Sequence, residues 1–192
     1  MNGGEVMRDS GGWRVTSSRY LFESKWYRLR QDEIVLPGGQ EITYTLVEHE
    51  GYVLIVPLLD DGRVVMESIY RHTLQRTQLE CPSGGRDGDL AEVAARRELE
   101  EETGYRAGEM VHLAHLCGSP GISNEELDIY LARGLKQDGV IRREATEQMA
   151  VELIPFAALR DSILRGEFKS GPSALALLLA WERMGDQVGS KK

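Results

Sequence analysis

Cysteine is scarce. The chain of 192 residues has only Cys81 and Cys117, in no CxxC pair and no ligand cluster. That excludes a disulfide framework and a thiolate metal site, and leaves two reduced thiols. Long hydrophobic runs are missing as well. The longest, Ala174 to Trp181, is too short to cross a bilayer. Basic charge is in deficit, with 23 Lys and Arg against 31 Asp and Glu, a net charge of −8 and a pI near 5.1. Bulk nucleic acid and anionic membrane both reward a basic surface, so neither is expected as a partner. An acidic chain can still bind a phosphorylated small molecule through a bound metal or a few placed arginines. The first residues carry no basic stretch followed by an apolar one, so no signal peptide is expected and a cytoplasmic location is.

What is present suits a single folded domain with a small N-terminal extension: 41% hydrophobic and 28% charged residues, with 21 glycines spread along the chain. Neither an internal repeat nor a low-complexity segment is visible. Residues 1–12 lack periodicity and are expected to be disordered. Residues 13–50 read as an N-terminal module of short strands, with Pro37-Gly38-Gly39 turning between the last two. Residues 51–185 read as the main domain and 186–192 as a flexible tail. Tyr52 to Leu59 is the nearly continuous apolar run of a strand buried on both faces, and Asp60-Asp61-Gly62 turns the chain into a second strand, Arg63 to Ile69. Residues 89–103 predict a helix, with Asp89 as N-cap, Glu92 completing a capping box and Gly104 as the left-handed stop. Strands follow at 110–116, 127–131 and 149–154, then helices at 156–165 and 172–184. The order predicts an α+β fold, an α/β/α sandwich around a mixed sheet.

The most informative stretch is Arg97-Glu98-Leu99-Glu100-Glu101-Glu102-Thr103-Gly104-Tyr105. Glu98, Glu101 and Glu102 stand at i, i+3 and i+4, on one helical face. Like charges so placed repel, which a solvated face tolerates and a divalent cation reverses, because hard oxygen donors suit Mg²⁺ or Mn²⁺. Just upstream, Glu80-Cys81-Pro82-Ser83-Gly84-Gly85 is a loop able to bring backbone groups close to a ligand.

Loop and helix together resemble the Nudix box, Gly-x5-Glu-x7-Arg-Glu-U-x-Glu-Glu-x-Gly-U with U a bulky apolar residue. Its second half is complete in Arg97, Glu98, Leu99, Glu101, Glu102, Gly104 and Tyr105. The first half departs: Asp89 stands for the first glutamate, and Gly84 lies one residue too close, as a loop shortened by one residue would have it. The resemblance implies a Nudix fold and a metal site of Glu98 and Glu102, with Glu101 holding a further ion or its water and the Ser83 carbonyl as a backbone ligand. Arg97 is expected to orient the carboxylates, and Gly84 and Gly104 to serve the motif structurally.

Outside the box the chain is similar to the group that hydrolyses ADP-ribose and nucleoside diphosphate sugars. Three segments carry this: Ile69-Tyr70-Arg71 with Leu79 to Gly84, Ser119-Pro120-Gly121-Ile122-Ser123-Asn124-Glu125, and Glu144-Ala145-Thr146-Glu147 ahead of Ile154-Pro155 and Arg165-Gly166-Glu167. The resemblance implies hydrolysis of a nucleoside diphosphate-linked small molecule with Mg²⁺, or Mn²⁺ in its place. It implies Glu147, or Glu144 in its stead, as the base on the attacking water. Arg71 would contact the diphosphate and Glu80 the metal shell or a ribose hydroxyl. Trp26 would stack on the base, although core or dimer interface suits a lone aromatic equally. A homodimer through the N-terminal strands is implied too. Other Nudix substrates (dinucleoside polyphosphates, NADH, CoA, an RNA cap) and a non-catalytic binding module stay open as alternatives. His49 and His72 have no partner pattern.

Overall fold

The computed structural model describes residues 11–143 and 148–189, and the chain divides into two compact units. The first comprises residues 1–50 and 119–125. Its three strands, β1 (Arg14–Glu23), β2 (Arg28–Val35) and β3 (Glu41–Glu48), form an antiparallel sheet in that order. Between β2 and β3 the chain reverses through Leu36–Gln40, closed by Leu36 N–H on the Gln40 carbonyl (2.8 Å) and by Gly39 at φ 84°, a value that costs glycine nothing. The segment 119–125 docks on β3: Val47 N–H reaches the Ile122 carbonyl at 2.8 Å and His49 N–H the Asn124 carboxamide at 2.9 Å. Asp32, buried in β2, is gripped by both arms of Arg30 at 3.0 Å. Every residue of β1 is exposed, Tyr20, Leu21 and Phe22 among them.

The second unit, residues 51–118 and 126–192, carries seven strands and three helices among its described residues. One sheet has the order β7-β4-β9-β8, from Ser83–Gly85, Tyr52–Pro57, Glu126–Arg133 and Glu109–Cys117. The other has the order β10-β5-β6, from Met149–Pro155, Arg63–Arg71 and Arg76–Glu80. Among the described strands only β4 and β9 pair in parallel, Tyr52 opposite Leu127 through Pro57 opposite Ala132. On β4, Val53 and Ile55 pack against Ala94, Ala95 and Leu99 of α1 (Ala91–Thr103). Leu54 and Val56 join the core of α2 (Phe156–Leu164) and α3 (Gly171–Gly189), with Phe156, Leu159, Ala176 and Leu177. Alternate side chains thus meet helices on opposite faces, as the expected α/β/α sandwich requires. Among the described residues no helix is long and apolar enough to cross a membrane.

Three local expectations need correction. Asp89 does not cap α1: Leu90 holds the N-cap position and no side chain caps it. The Asp89 carboxylate lies instead 3.6 Å from Arg97 Nε, and Glu92 accepts from Arg96 one turn on rather than reaching back. The stretch Glu80–Gly85, read as loop, contains the end of β6 and all of β7, because pairing with β5 and β4 supplies what its sequence does not. Finally, α3 runs on to Gly189, past Met184 and into the stretch read as tail.

Candidate active site

The acidic helix α1 lies beside the short strand β7. Leu99 on its inner face is fully buried, which turns Glu98 and Glu102 toward β7 at only 7% and 4% exposure. Two unit charges about 6 Å apart repel by roughly 3 kcal/mol at an effective dielectric near 20. A helical side-chain pair contributes about 0.5 kcal/mol at most, so the helix gains nothing from this arrangement by itself.

Three features hold the carboxylates in place. The Ser83 N–H donates to Glu102 Oε2 at 2.9 Å. Arg97 donates from Nη1 to Glu98 Oε1 at 2.5 Å and from Nη2 to the Gly85 carbonyl and Asp87 at 2.9 and 3.1 Å. It also lies 3.5 Å from Glu101. Arg97 therefore joins the loop to the helix. The third feature is the α-carbon of Gly84, against which the Glu98 carboxylate is stacked. A Cβ there would fall 2.1 Å from the carboxyl carbon, so any other residue would drive the Glu98 carboxylate from this place.

The loop between β7 and α1 has a second anchor. The buried Asp128 on β9 accepts from Arg86, from His112 Nε2 at 2.8 Å and from His115 Nδ1 at 3.1 Å. A bulge between His112 and Ala114 in β8 brings both rings to it.

Further carboxylates come from the other sheet. Glu67 and Glu80 are cross-strand partners on β5 and β6, at 2% and 9% exposure. Arg71 straddles Glu80, giving Nε to Oε1 at 3.1 Å and Nη2 to Oε2 at 2.8 Å, and Gln78 adds a donor at 2.6 Å. Burial pushes the Glu80 carboxyl up, but these hydrogen bonds outweigh it and hold the group below the usual carboxylate range. The hydrogen bonds to Glu80, with the weaker fields of Glu102 and Glu67 behind them, raise the Arg71 pKa against its burial. Arg71 was expected at the diphosphate and Glu80 at the metal shell or a ribose hydroxyl; the two side chains are paired with each other.

Glu67 escaped the sequence reading. The signal was there in a lone charge inside the apolar strand Val64-Val65-Met66-Glu67, since a fully buried carboxylate needs a partner. Asp87 was missed as well, hidden in a loop that only Arg97 makes structural. Trp26, in the other unit, is 55% exposed, with the Lys25 ammonium 3.8 Å from its ring centre. Gly104 ends α1 at φ 75°, as expected. Glu144 and Glu147 lie outside the described residues.

Among the described residues, no group of three His, Cys, Asp or Glu side chains stands arranged to hold a metal ion. Glu98 and Glu102 are each turned onto a protein donor instead. The donor chemistry nevertheless fits a hard divalent cation: buried carboxylates at repulsive spacing, and a bare α-carbon that keeps one of them close to the loop backbone.

Comparison with known proteins agrees with this geometry. Residues 48–174 match the NUDIX domain model, and residues 13–47 match the nucleoside diphosphate sugar hydrolase N-terminal domain. The chain is 38% identical over 160 residues to an ADP-ribose pyrophosphatase of Mycobacterium tuberculosis, covering 81% of this chain and 76% of that one. It is 32% identical over 153 residues to an ADP-ribose pyrophosphatase of Bacillus subtilis, covering 78% and 80%. Among solved structures, an ADP compounds hydrolase superposes with a TM-score of 0.79 at 21% identity, over 91% of this chain and 95% of that one, a likeness of fold. With a family model spanning most of its length and its acidic helix folded against the glycine strand, the chain belongs to the Nudix hydrolases.

Proposed function

We propose that the chain hydrolyses the diphosphate of ADP-ribose or a related nucleoside diphosphate sugar, releasing a nucleoside monophosphate and a sugar phosphate. The observation that carries this reading is the buried pair Glu98 and Glu102, held by Arg97 and Ser83 N–H against the bare α-carbon of Gly84. The names of the two ADP-ribose pyrophosphatases support the substrate class. Glu98 and Glu102 would hold Mg²⁺, or Mn²⁺ in its place, with Glu101 and the Ser83 carbonyl as further ligands. When bound, the cation neutralises diphosphate charge and acidifies water.

The chain's own groups do the rest. Arg71 is fixed in plane by Glu80 through Nε and Nη2, so Nη1 is the donor we assign to a phosphate oxygen. Glu147 takes the proton from the attacking water, with Glu144 the second choice, because the segment precedes Ile154-Pro155 as in the resembling group. Trp26, exposed in the N-terminal unit, is offered as the surface on which a base stacks. We also infer that two copies pair through the N-terminal sheet. The fully exposed β1, with Tyr20, Leu21 and Phe22, is the support, and a monomeric mass in sedimentation would remove that inference. The two free cysteines suit a cytoplasmic location, which fractionation of the native host would check.

The test is a panel of ADP-ribose, GDP-mannose, UDP-glucose, NADH and diadenosine polyphosphates with Mg²⁺, with and without EDTA. EDTA-sensitive turnover of ADP-ribose or a nucleotide sugar is expected. Silence on these, or preference for NADH or the polyphosphates, overturns the assignment. On the best substrate, Glu147→Gln should lower kcat by about 10²-fold, the range of general acid–base catalysis. A loss seen with Glu144→Gln instead would move the base to that residue.

A further inference from the structure

The last carbonyls of a helix find no partner within it, and the negative end of the helix dipole favours a cation. Helix α1 carries no basic side chain in its last turn. Residues 139–143 make up both deficits. Gly104 N–H closes on the Glu100 carbonyl at 2.8 Å, and Arg142 N–H takes the Glu101 carbonyl at 2.8 Å. Gly139 N–H takes the Gly104 carbonyl at 3.0 Å. The approach at Gly139 is tight enough that a Cβ would come within 2.7 Å of the Glu100 side chain.

The carbonyl of Glu102 is taken by Arg143. Its Nε donates at 2.9 Å and its Nη2 joins, while Nη1 donates to the carbonyl of Met149 at 3.0 Å. One guanidinium thus ties the end of α1 to the first residue of β10. Glu102 is consequently held at two points, its carbonyl by Arg143 and its carboxylate by Ser83 N–H at 2.9 Å. A lysine, a point charge without the planar fork, cannot span both carbonyls in this way.

We propose that Arg143 is a positioning residue for the metal-binding face: by fixing the last turn of α1 to β10 it keeps the Glu102 carboxylate against β7. This rests on reading Glu102 as a metal ligand, and it assigns Arg143 no contact with substrate. Residues that orient metal ligands from behind characteristically change affinity or activity by about 10- to 100-fold when replaced.

The experiment is a titration of the full chain with Mn²⁺, free ion followed by its paramagnetic resonance signal, for wild type, Arg143→Ala, Arg143→Lys and Glu102→Gln. Melting curves in EDTA and steady-state kinetics on the best substrate accompany it. Arg143→Ala is expected to weaken Mn²⁺ binding about tenfold and to lower kcat by about 10-fold or more, with KM little changed. Arg143→Lys should recover only part of either loss. A role confined to stability would lower the melting temperature and leave Mn²⁺ affinity and kcat of the folded fraction intact, which overturns the proposal. If Arg143→Ala fails to fold, Arg143→Lys decides on the same readouts, wild-type affinity in it being the overturning result. Unchanged Mn²⁺ affinity in Glu102→Gln would instead sink the underlying metal reading. Weakened Mn²⁺ binding in the Arg143 variants of a chain that hydrolyses none of the substrate panel would sustain Arg143 while the substrate assignment fell.

Discussion

Glu102→Gln should remove most activity at saturating Mg²⁺ while leaving the fold at least as stable as before. Glutamine keeps the shape, and its carboxamide oxygen can still accept the Ser83 N–H that Glu102 holds at 2.9 Å. Only the charge is lost. If that charge holds the cation, several kcal/mol of transition-state stabilisation go with it, about 10²- to 10³-fold in kcat. Stability moves the other way. Glu102 is 4% exposed and one turn from Glu98, so the unliganded fold bears a buried like-charge repulsion that Gln relieves. In EDTA the variant should therefore melt at or above the wild-type temperature, and Mg²⁺ should raise its melting point less than it raises that of wild type. Wild-type turnover in a folded Glu102→Gln chain would refute the metal assignment. A large drop in EDTA stability would mean that the carboxylate serves the fold instead.

The second large effect is expected of a single methyl group. In Gly84→Ala the new Cβ would lie 2.1 Å from the Glu98 carboxyl carbon and 2.3 and 2.4 Å from its oxygens. Backbone on β7 is tied to Val53 of β4, so the side chain of Glu98 is what must leave. Displacing the end of a flexible side chain costs the fold about 1 kcal/mol, an ordinary single-mutant effect. Displacing it from a metal site costs far more, since a misplacement of about 1 Å at a reacting centre is worth up to about 10²-fold. A modestly lower melting temperature with kcat down about 10²-fold is the anticipated pattern. Gly85→Ala is the control, its Cβ meeting only Asp87 Oδ1 at 3.3 Å, and it should keep most activity. Equal activity in both variants would show that Glu98 has no need of its place.

How much of this was legible in the sequence follows from how local each feature is. The three glutamates and Gly104 are read from spacing, because one helix sets their geometry and a left-handed φ of 75° at its end selects glycine. The strand Tyr52–Pro57 is likewise plain, being apolar on both faces. The N-cap misled because Asp89, locally an ideal capping residue, is held near Arg97, eight positions on, and the competition is decided by the folded loop. Strands β6 and β7 were invisible since Arg-Thr-Gln-Leu-Glu and Ser-Gly-Gly have little strand character; neighbours make them strands. Arg143 could not be found at all, as one of its two carbonyl partners is 41 residues back along the chain. The pairing of Arg71 with Glu80 also needed coordinates, because eight intervening residues fold into a hairpin before the two meet.

The parallel pair β4 and β9 sets the order in which the chain can be built. Strands β1 to β3 join successive neighbours, contacts that close early and cheaply as the chain is synthesised. Tyr52–Pro57 must wait for Leu127–Ala132, with four strands and a helix translated in between. At synthesis rates of about 5–20 residues per second, this most apolar strand spends seconds without the partner that completes its sheet. It is the segment of the nascent chain that a chaperone would be called on to shield.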